Sequence, residues 1–432
     1  MKLFQQMLVA AVSLGFITPM ATQASDFNIE GINTYVRKNS SSRKQKRFNS
    51  NSFNNELAKQ KVDTSIAENK AFKAGSFSDT TTLDSKVIFT LGAINSPVDG
   101  NGVAREDESA KATYMMQSNL NTSFTGDDNL YVRLKTGNAG DWQTGYTFGT
   151  YLSSSKSNGD KVKVDKIWYT FPLGENHTFW VGPQIENYYM HGTTPSIYKP
   201  VLKQFTLGGN GAAYGASTSP GAGWAYKADN GFAFSTNFTS KAGDTSTGIL
   251  TEEAKTSWAT QFGYTKPTYA ASLIVNMKYN GWTDSYYTTP LGKARPNSAG
   301  VADKGNSTNI GLRYWWRPDD TGTITPSISL GYDTSSTDAS SNSSTNAYFV
   351  GLTWQDAFNA DDRVGVAFGQ PQKREDETTD PFAWEVYYSY KLNDSVTVTP
   401  AIFGASDRNG RNADPDQSED LLGAVLETTF KF

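Results

Sequence analysis

Residues 421–432 read Leu421-Leu422-Gly423-Ala424-Val425-Leu426-Glu427-Thr428-Thr429-Phe430-Lys431-Phe432. Leu422, Ala424, Leu426, Thr428, Phe430 and Phe432 fall on one face, and Leu421, Gly423, Val425, Glu427, Thr429 and Lys431 on the other. A period of two is that of a β-strand with one apolar face and one face that tolerates charge. The aromatic Phe432 at the end of this alternation fits a strand that seals a membrane barrel.

The same texture recurs upstream. Val87, Phe89, Leu91 and Ala93 alternate with Lys86, Ile88, Thr90 and Gly92. Trp258, Thr260, Phe262 and Tyr264 alternate with Ala259, Gln261 and Gly263, and Phe382, Trp384, Val386, Tyr388 and Tyr390 with Ala383, Glu385, Tyr387 and Ser389. Counting such segments from Thr81 onward gives about sixteen, an even number in the range of closed barrels that span bacterial outer membranes. The expected centres lie near Phe89, Leu120, Val132, Trp168, Trp180, Trp224, Phe234, Phe262, Leu273, Leu312, Ile328, Leu352, Val366, Val386, Val398 and Val425.

The connections alternate between short and long. Short ones carry turn residues, as in Gly126-Asp127-Asp128-Asn129, Asp229-Asn230-Gly231 and Asn393-Asp394. Long ones run roughly over 94–110, 138–162, 185–212, 239–254, 280–306, 334–344, 371–380 and 406–419. A soluble sandwich has no physical reason to place every long connection at one end. A barrel with short periplasmic turns and long outer loops does. Closure follows from the solvent, because lipid offers no partner for an open sheet edge. Trp316, Tyr332, Trp354, Trp384, Tyr388 and Tyr390 lie near strand ends, where amphipathic rings favour the lipid–water boundary.

Composition agrees. Of 432 residues only 37% are hydrophobic, yet 13% are aromatic, and the chain has 38 glycines. Alternation lets a chain that is polar on average still span a bilayer. The formal net charge of −4 gives no reason to expect a nucleic-acid partner. Cysteine is absent, which removes disulfides and thiol chemistry. Residues 1–24, with Lys2 before the apolar run Met7 to Ile17, read as a signal peptide. Residues 25–80 read as a flexible periplasmic segment. Its basic run (Arg37, Lys38, Arg43, Lys44, Lys46, Arg47) would make weak contact with an anionic cell-wall polymer. Residues 81–432 are the barrel.

The chain resembles the cyanobacterial Som-type porins, also called iron uptake porins, which are related to the OprB carbohydrate-selective porins. The resemblance rests on the leader Met1-Lys2-Leu3-Phe4-Gln5-Gln6 through Asn28-Ile29-Glu30-Gly31, on Thr81 to Phe89, and on the pair Phe382–Tyr390 and Val396–Phe403. It implies an outer-membrane channel, a homotrimer amid lipid and lipopolysaccharide, and passive diffusion of small hydrophilic solutes, inorganic ions (iron included) or sugars. The surface-layer-homology domain and coiled coil usual in such porins are not expected here, since residues 25–80 are too few to hold both. A secreted β-rich wall-binding protein is the alternative of another class.

The residues that would carry function lie on inward strand faces. With the apolar set facing lipid, the lumen receives Lys86, Arg133, Lys135, Lys166, Lys278, Arg313, Arg363, Glu385, Lys391, Glu427 and Lys431. This basic surplus lowers the barrier for anions. Tyr131, Trp168, Trp315 and Tyr387 could stack on sugar faces. In the long connection Glu186 to Ala213, Tyr188, Tyr189, His191, Tyr198, Lys199 and Lys203 are candidates for a loop that folds inward and sets the aperture, by analogy with general porins. No enzyme is expected: His177 and His191 are the two histidines, no Gly-x-Ser-x-Gly elbow accompanies them, and no HExxH metal motif or cofactor fingerprint occurs. Acidic groups at Glu375, Asp376, Glu377 and Asp380, and at Asp414, Asp416, Glu419 and Asp420, could hold cations that bridge lipopolysaccharide.

Overall fold

The computed structural model describes residues 80–95, 109–144, 149–209, 211–215, 218–241, 243–282, 288–289, 292, 305–338, 344–408 and 420–432. The expected leader, the basic run and Asp414 to Glu419 lie outside them.

Sixteen antiparallel strands form one closed barrel in which every strand pairs with its sequence neighbours and the first pairs with the last. The strands are β1 (Thr81–Asn95), β2 (Lys111–Thr122), β3 (Asn129–Gly137), β4 (Lys163–Leu173), β5 (His177–Ile185), β6 (Ser219–Lys227), β7 (Phe232–Ser240), β8 (Thr256–Thr265), β9 (Tyr269–Tyr279), β10 (Ser307–Trp316), β11 (Ser327–Thr337), β12 (Ser344–Gln355), β13 (Arg363–Arg374), β14 (Phe382–Lys391), β15 (Val396–Ser406) and β16 (Leu421–Lys431). Each centre expected from alternation falls inside its strand. Short connections gather at one end and long ones at the other.

The seam between β1 and β16 runs from Lys86 opposite Lys431 to Asn95 opposite Leu422. Beyond it, Ser85 and Phe432 exchange both backbone hydrogen bonds, at 2.8 and 3.0 Å. No edge strand remains among the described residues, which satisfies the requirement lipid sets.

Polarity is inverted relative to a soluble protein. Phe89 and Leu312 are 54% and 51% exposed on the outer face, whereas Arg313 and Glu385 are 3% and 0% exposed on the inner face. A broad outer surface of this kind is unfavourable in water and favourable against acyl chains. At the short-turn end the outer face carries neighbouring rings. Phe171 stacks on Phe179 at 5.5 Å, Phe232 meets Tyr264 at 5.6 Å, and Tyr388 meets Tyr390 at 6.2 Å.

The interior is packed by loops. One apolar cluster joins Trp142 and Leu152 of the β3–β4 loop and Tyr198, Val201, Leu202 and Phe205 of the β5–β6 loop to inward residues that include Phe349, Tyr387, Phe403 and Val425. A second cluster holds Tyr131, Trp168, Trp180 and Met190. The barrel is therefore filled asymmetrically from within.

Candidate functional site

The β5–β6 loop lies against the inner wall rather than projecting outward. Leaving β5, it runs along β7 and β8, where Gly192 N donates to Ser235 Oγ at 3.1 Å and Thr193 N to Gln261 Oε1 at 2.9 Å. It passes β10, where Trp315 Nε1 donates to the Thr194 carbonyl at 3.0 Å. It then passes β11, where Ile197 N donates to Ser329 Oγ at 3.2 Å. At β14 it turns and comes back, so that Asn276 Nδ2 of β9 donates to the Ala213 carbonyl at 3.0 Å. Inward glycines make room for this path. A Cβ at Gly263 would collide with Thr193, and one at Gly331 with the Gly208 carbonyl. Gly208 itself has φ 75°, in the left-handed region glycine supplies readily.

Buried polar clamps fix the loop. Glu385 of β14 accepts hydrogen bonds from Tyr198 Oη (2.8 Å), Val201 N (3.2 Å) and Leu202 N (2.6 Å). Arg313 of β10 pairs with Asp333 of β11 at 2.9 Å and donates through Nε to the Leu207 carbonyl at 2.8 Å. Lys166 of β4 pairs with Glu186 at 2.6 Å. Burial alone would raise the Glu186 carboxyl, but the Lys166 ammonium outweighs it and holds Glu186 below the usual carboxylate range. The β3–β4 loop is tied in as well. Ser153 N donates to the Val201 carbonyl at 2.7 Å, Lys203 N to the Tyr151 carbonyl at 2.8 Å, and Ser154 Oγ to Glu427 of β16.

Where these loops face β3 and β4, cations gather. Arg133 and Lys135 stand two residues apart on the inner face of β3, and Arg133 lies opposite Lys166 of β4. Lys156 pairs with Asp165 at 2.9 Å. Lys203 lies 4.8 Å above the Tyr151 ring, within electrostatic reach of Lys166, Lys156, Glu186 and Asp165. Lys135 is within reach of Arg133, Lys203, Lys156 and Asp165. Arg133 donates to Asn119 Oδ1 at 3.0 Å and to Tyr189 Oη at 3.2 Å. A ladder of rings borders the patch: Tyr131 to Trp168 at 4.2 Å, Trp168 to Tyr189 at 4.8 Å, and Tyr189 to Tyr188 at 4.3 Å.

The remaining candidates are dispersed. Arg363 is half-buried and donates to Tyr387 Oη at 3.1 Å. Lys391 sits at the short-turn end, paired with Asp361 at 2.7 Å and Asp394 at 3.0 Å. Lys199 is exposed on the loop. His191 is buried, with Nδ1 3.3 Å from Asn237 Nδ2 and its ring edge-on to Tyr214 at 5.2 Å. Burial pushes its imidazole down to about 3. Tyr131, Trp168, Trp315 and Tyr387 do point inward, and all are buried under loop or neighbouring rings. Glu377 of the first acidic group accepts from Thr289 Oγ1 at 2.6 Å, and among the described residues no His, Cys, Asp and Glu cluster could hold a metal.

Several functional side chains had no sequence signal: Asp165, Lys156, Asp333, Ser154 and Asn237. Their partners lie on other strands or loops, and the Glu385–Tyr198 pair is 187 residues apart. Spacing along the chain therefore says nothing about them.

No family model matches the chain. An uncharacterized protein of Nostoc sp. (strain PCC 7120), alr4550, is 24% identical over 429 residues, covering 88% of this chain and 70% of its own length. Among solved structures, Pseudomonas putida OprB superposes with a TM-score of 0.58 at 12% identity, over 82% of this chain and 94% of that one. The anion-selective porin from Comamonas acidovorans gives a TM-score of 0.53 at 10% identity, over 82% and 99%. The fold is that of the sixteen-stranded porins.

Proposed function

We propose that this chain is an outer-membrane porin through which small hydrophilic solutes and inorganic ions diffuse passively, with anions favoured over cations. The observation that carries the preference is a difference in how inward charges are used. The acids Glu385 and Glu427 are buried under loop donors, and Glu186 and Asp333 are paired with Lys166 and Arg313. Arg133, Lys135 and Arg363, by contrast, are half-buried on the inner face. Acids withdrawn from the lumen contribute little to its field, while the cations left in it lower the barrier for anions.

The porin fold and the inverted polarity support the membrane location. In this reading the short turns and both termini face the periplasm and the long loops face outward. A homotrimer and kinship with the Som-type porins come from the resemblance. A sugar preference gains no support from Tyr131, Trp168, Trp315 and Tyr387, whose faces are covered. Planar-bilayer recording across a KCl gradient tests the reading. We expect discrete conductance steps and a reversal potential of anionic sign. A cation-selective reversal potential would refute the preference, and a folded barrel without steps would refute the channel.

A further inference from the structure

The cation patch between β3, β4 and the facing loops has the chemistry of a binding site as well as a field. We propose that Arg133, Lys135 and Lys203 bind a tetrahedral oxyanion of the phosphate class, free or carried on a small organic solute, during its passage. This rests on the channel reading above.

The patch brings together five cationic side chains, Arg133, Lys135, Lys156, Lys166 and Lys203, and two carboxylates, Asp165 and Glu186. Asp165 pairs with Lys156 at 2.9 Å and Glu186 with Lys166 at 2.6 Å, and both also act on Lys203, so that two negative charges stand among five positive ones. Arg133 donates to two neutral oxygens, those of Asn119 and Tyr189. A guanidinium carries five N–H donors, so it can keep those contacts and still present others. Like charges held together in a partly buried site repel, and a bound dianion would relieve that repulsion. Chloride could neutralise one charge. A tetrahedral oxyanion also offers several acceptors to donors that reach it from a strand and a facing loop, and charge-assisted bonds of this kind are the stronger ones. The patch is anchored on both sides, since Lys203 N is bonded to the Tyr151 carbonyl and Arg133 is braced by the Tyr131–Trp168–Tyr189 ladder. Little rearrangement is therefore needed on binding.

The test is single-channel recording of the full chain in KCl while inorganic phosphate is titrated in. Folding of each variant is first checked by gel mobility with and without boiling. A saturable fall in chloride current at millimolar phosphate is expected. Lys135→Gln and Lys203→Gln should each raise the half-blocking concentration about tenfold, the consequence of losing one charge-assisted contact. Lys203 lies on a loop, so its variant keeps the test alive if the β3 variant does not fold. Lys266→Gln, in the short β8–β9 turn, should leave the block unchanged. Glucose 6-phosphate blocking as well as phosphate would show that a carried phosphoryl group is recognised, and block by inorganic phosphate alone would assign the site to the free ion. Equal block by glucose would overturn the proposal, as would chloride steps that phosphate does not affect or block that both variants retain. Absence of any steps from a folded barrel would instead overturn the channel reading itself.

Discussion

The Glu385 clamp gives the sharpest test of how the interior is held. In Glu385→Ala, the Tyr198 hydroxyl and the Val201 and Leu202 amides lose their acceptor. Each orphaned buried donor costs about 1–3 kcal/mol. The low end applies to each, because the space vacated by the carboxyl admits water, which gives about 3 kcal/mol for the three. At about 1.4 kcal/mol per tenfold, the segment around Tyr198 to Leu202 should leave the wall roughly a hundredfold more often. It should loosen rather than depart. Tyr198 still packs on Phe349 at 5.7 Å and Tyr387 at 6.0 Å, and Phe205 on Phe349 at 5.7 Å. Single-channel recording should show added current noise and a larger mean conductance, and liposome swelling should admit larger sugars, with gel mobility confirming an intact barrel. Glu385→Gln keeps one acceptor oxygen and should fall between the two. An alanine variant with the conductance, noise and size limit of the parent would refute the idea that this carboxyl holds the loop.

Arg313→Met strands Asp333 in the interior, and loss of one partner of a buried pair costs about 3–5 kcal/mol. The temperature at which the folded gel band is lost should drop, and Arg313→Met with Asp333→Leu should recover part of it. Acidification should loosen the loop through His191. Its imidazole is held near 3 inside against 6.5 outside, so neutral burial costs nothing above about 6.5 and about 1.4 kcal/mol per pH unit below it, down to about 3. Channel noise should therefore rise between pH 7 and 4.5, and His191→Gln, whose amide takes up no proton in this range, should abolish that rise. Glu186, held low by Lys166, acts in the same direction lower on the scale. Gly263→Val would push its side chain into Thr193, and should widen the channel or prevent assembly; unchanged swelling rates from a folded variant would contradict the loop path described above.

The strands were legible because a barrel wall is a local pattern. Phe262 and Gln261 announce opposite faces without reference to anything distant, and Asp229-Asn230-Gly231 announces a turn on its own. The segment around Gly223 to Lys227, in which Trp224 alone supplies a large apolar centre beside Tyr226, falls within β6. The inward identity of Arg133, Arg313 and Glu385 was legible for the same reason. What each does there was not. Arg313 reads as a wall charge, yet its partners are Asp333 on the next strand and Leu207 in a loop 106 residues away. Trp168 and Trp315 read as lumen aromatics, yet their burial depends on loops whose course no periodicity encodes. In a barrel, alternation reports which face a residue is on, and only the loops decide whether that face is wet.

The β1–β16 seam bears on how the molecule is made. Fifteen of its sixteen strand pairings join neighbours along the chain and can form as hairpins or extended turns. The seam instead joins Lys86 to Lys431, across nearly the whole barrel sequence. The entropy of closing a loop rises by only about 0.6 kcal/mol for each doubling of length, so distance hardly weakens the finished seam. It does delay it, since long-range pairings come late in folding. Until that moment β1 and β16 each present an open row of backbone donors and acceptors, able to recruit a strand from any other unfinished chain. The period between synthesis and closure is thus the hazardous one for this protein, and whatever escorts it to the membrane must shield two edges that the finished molecule no longer has.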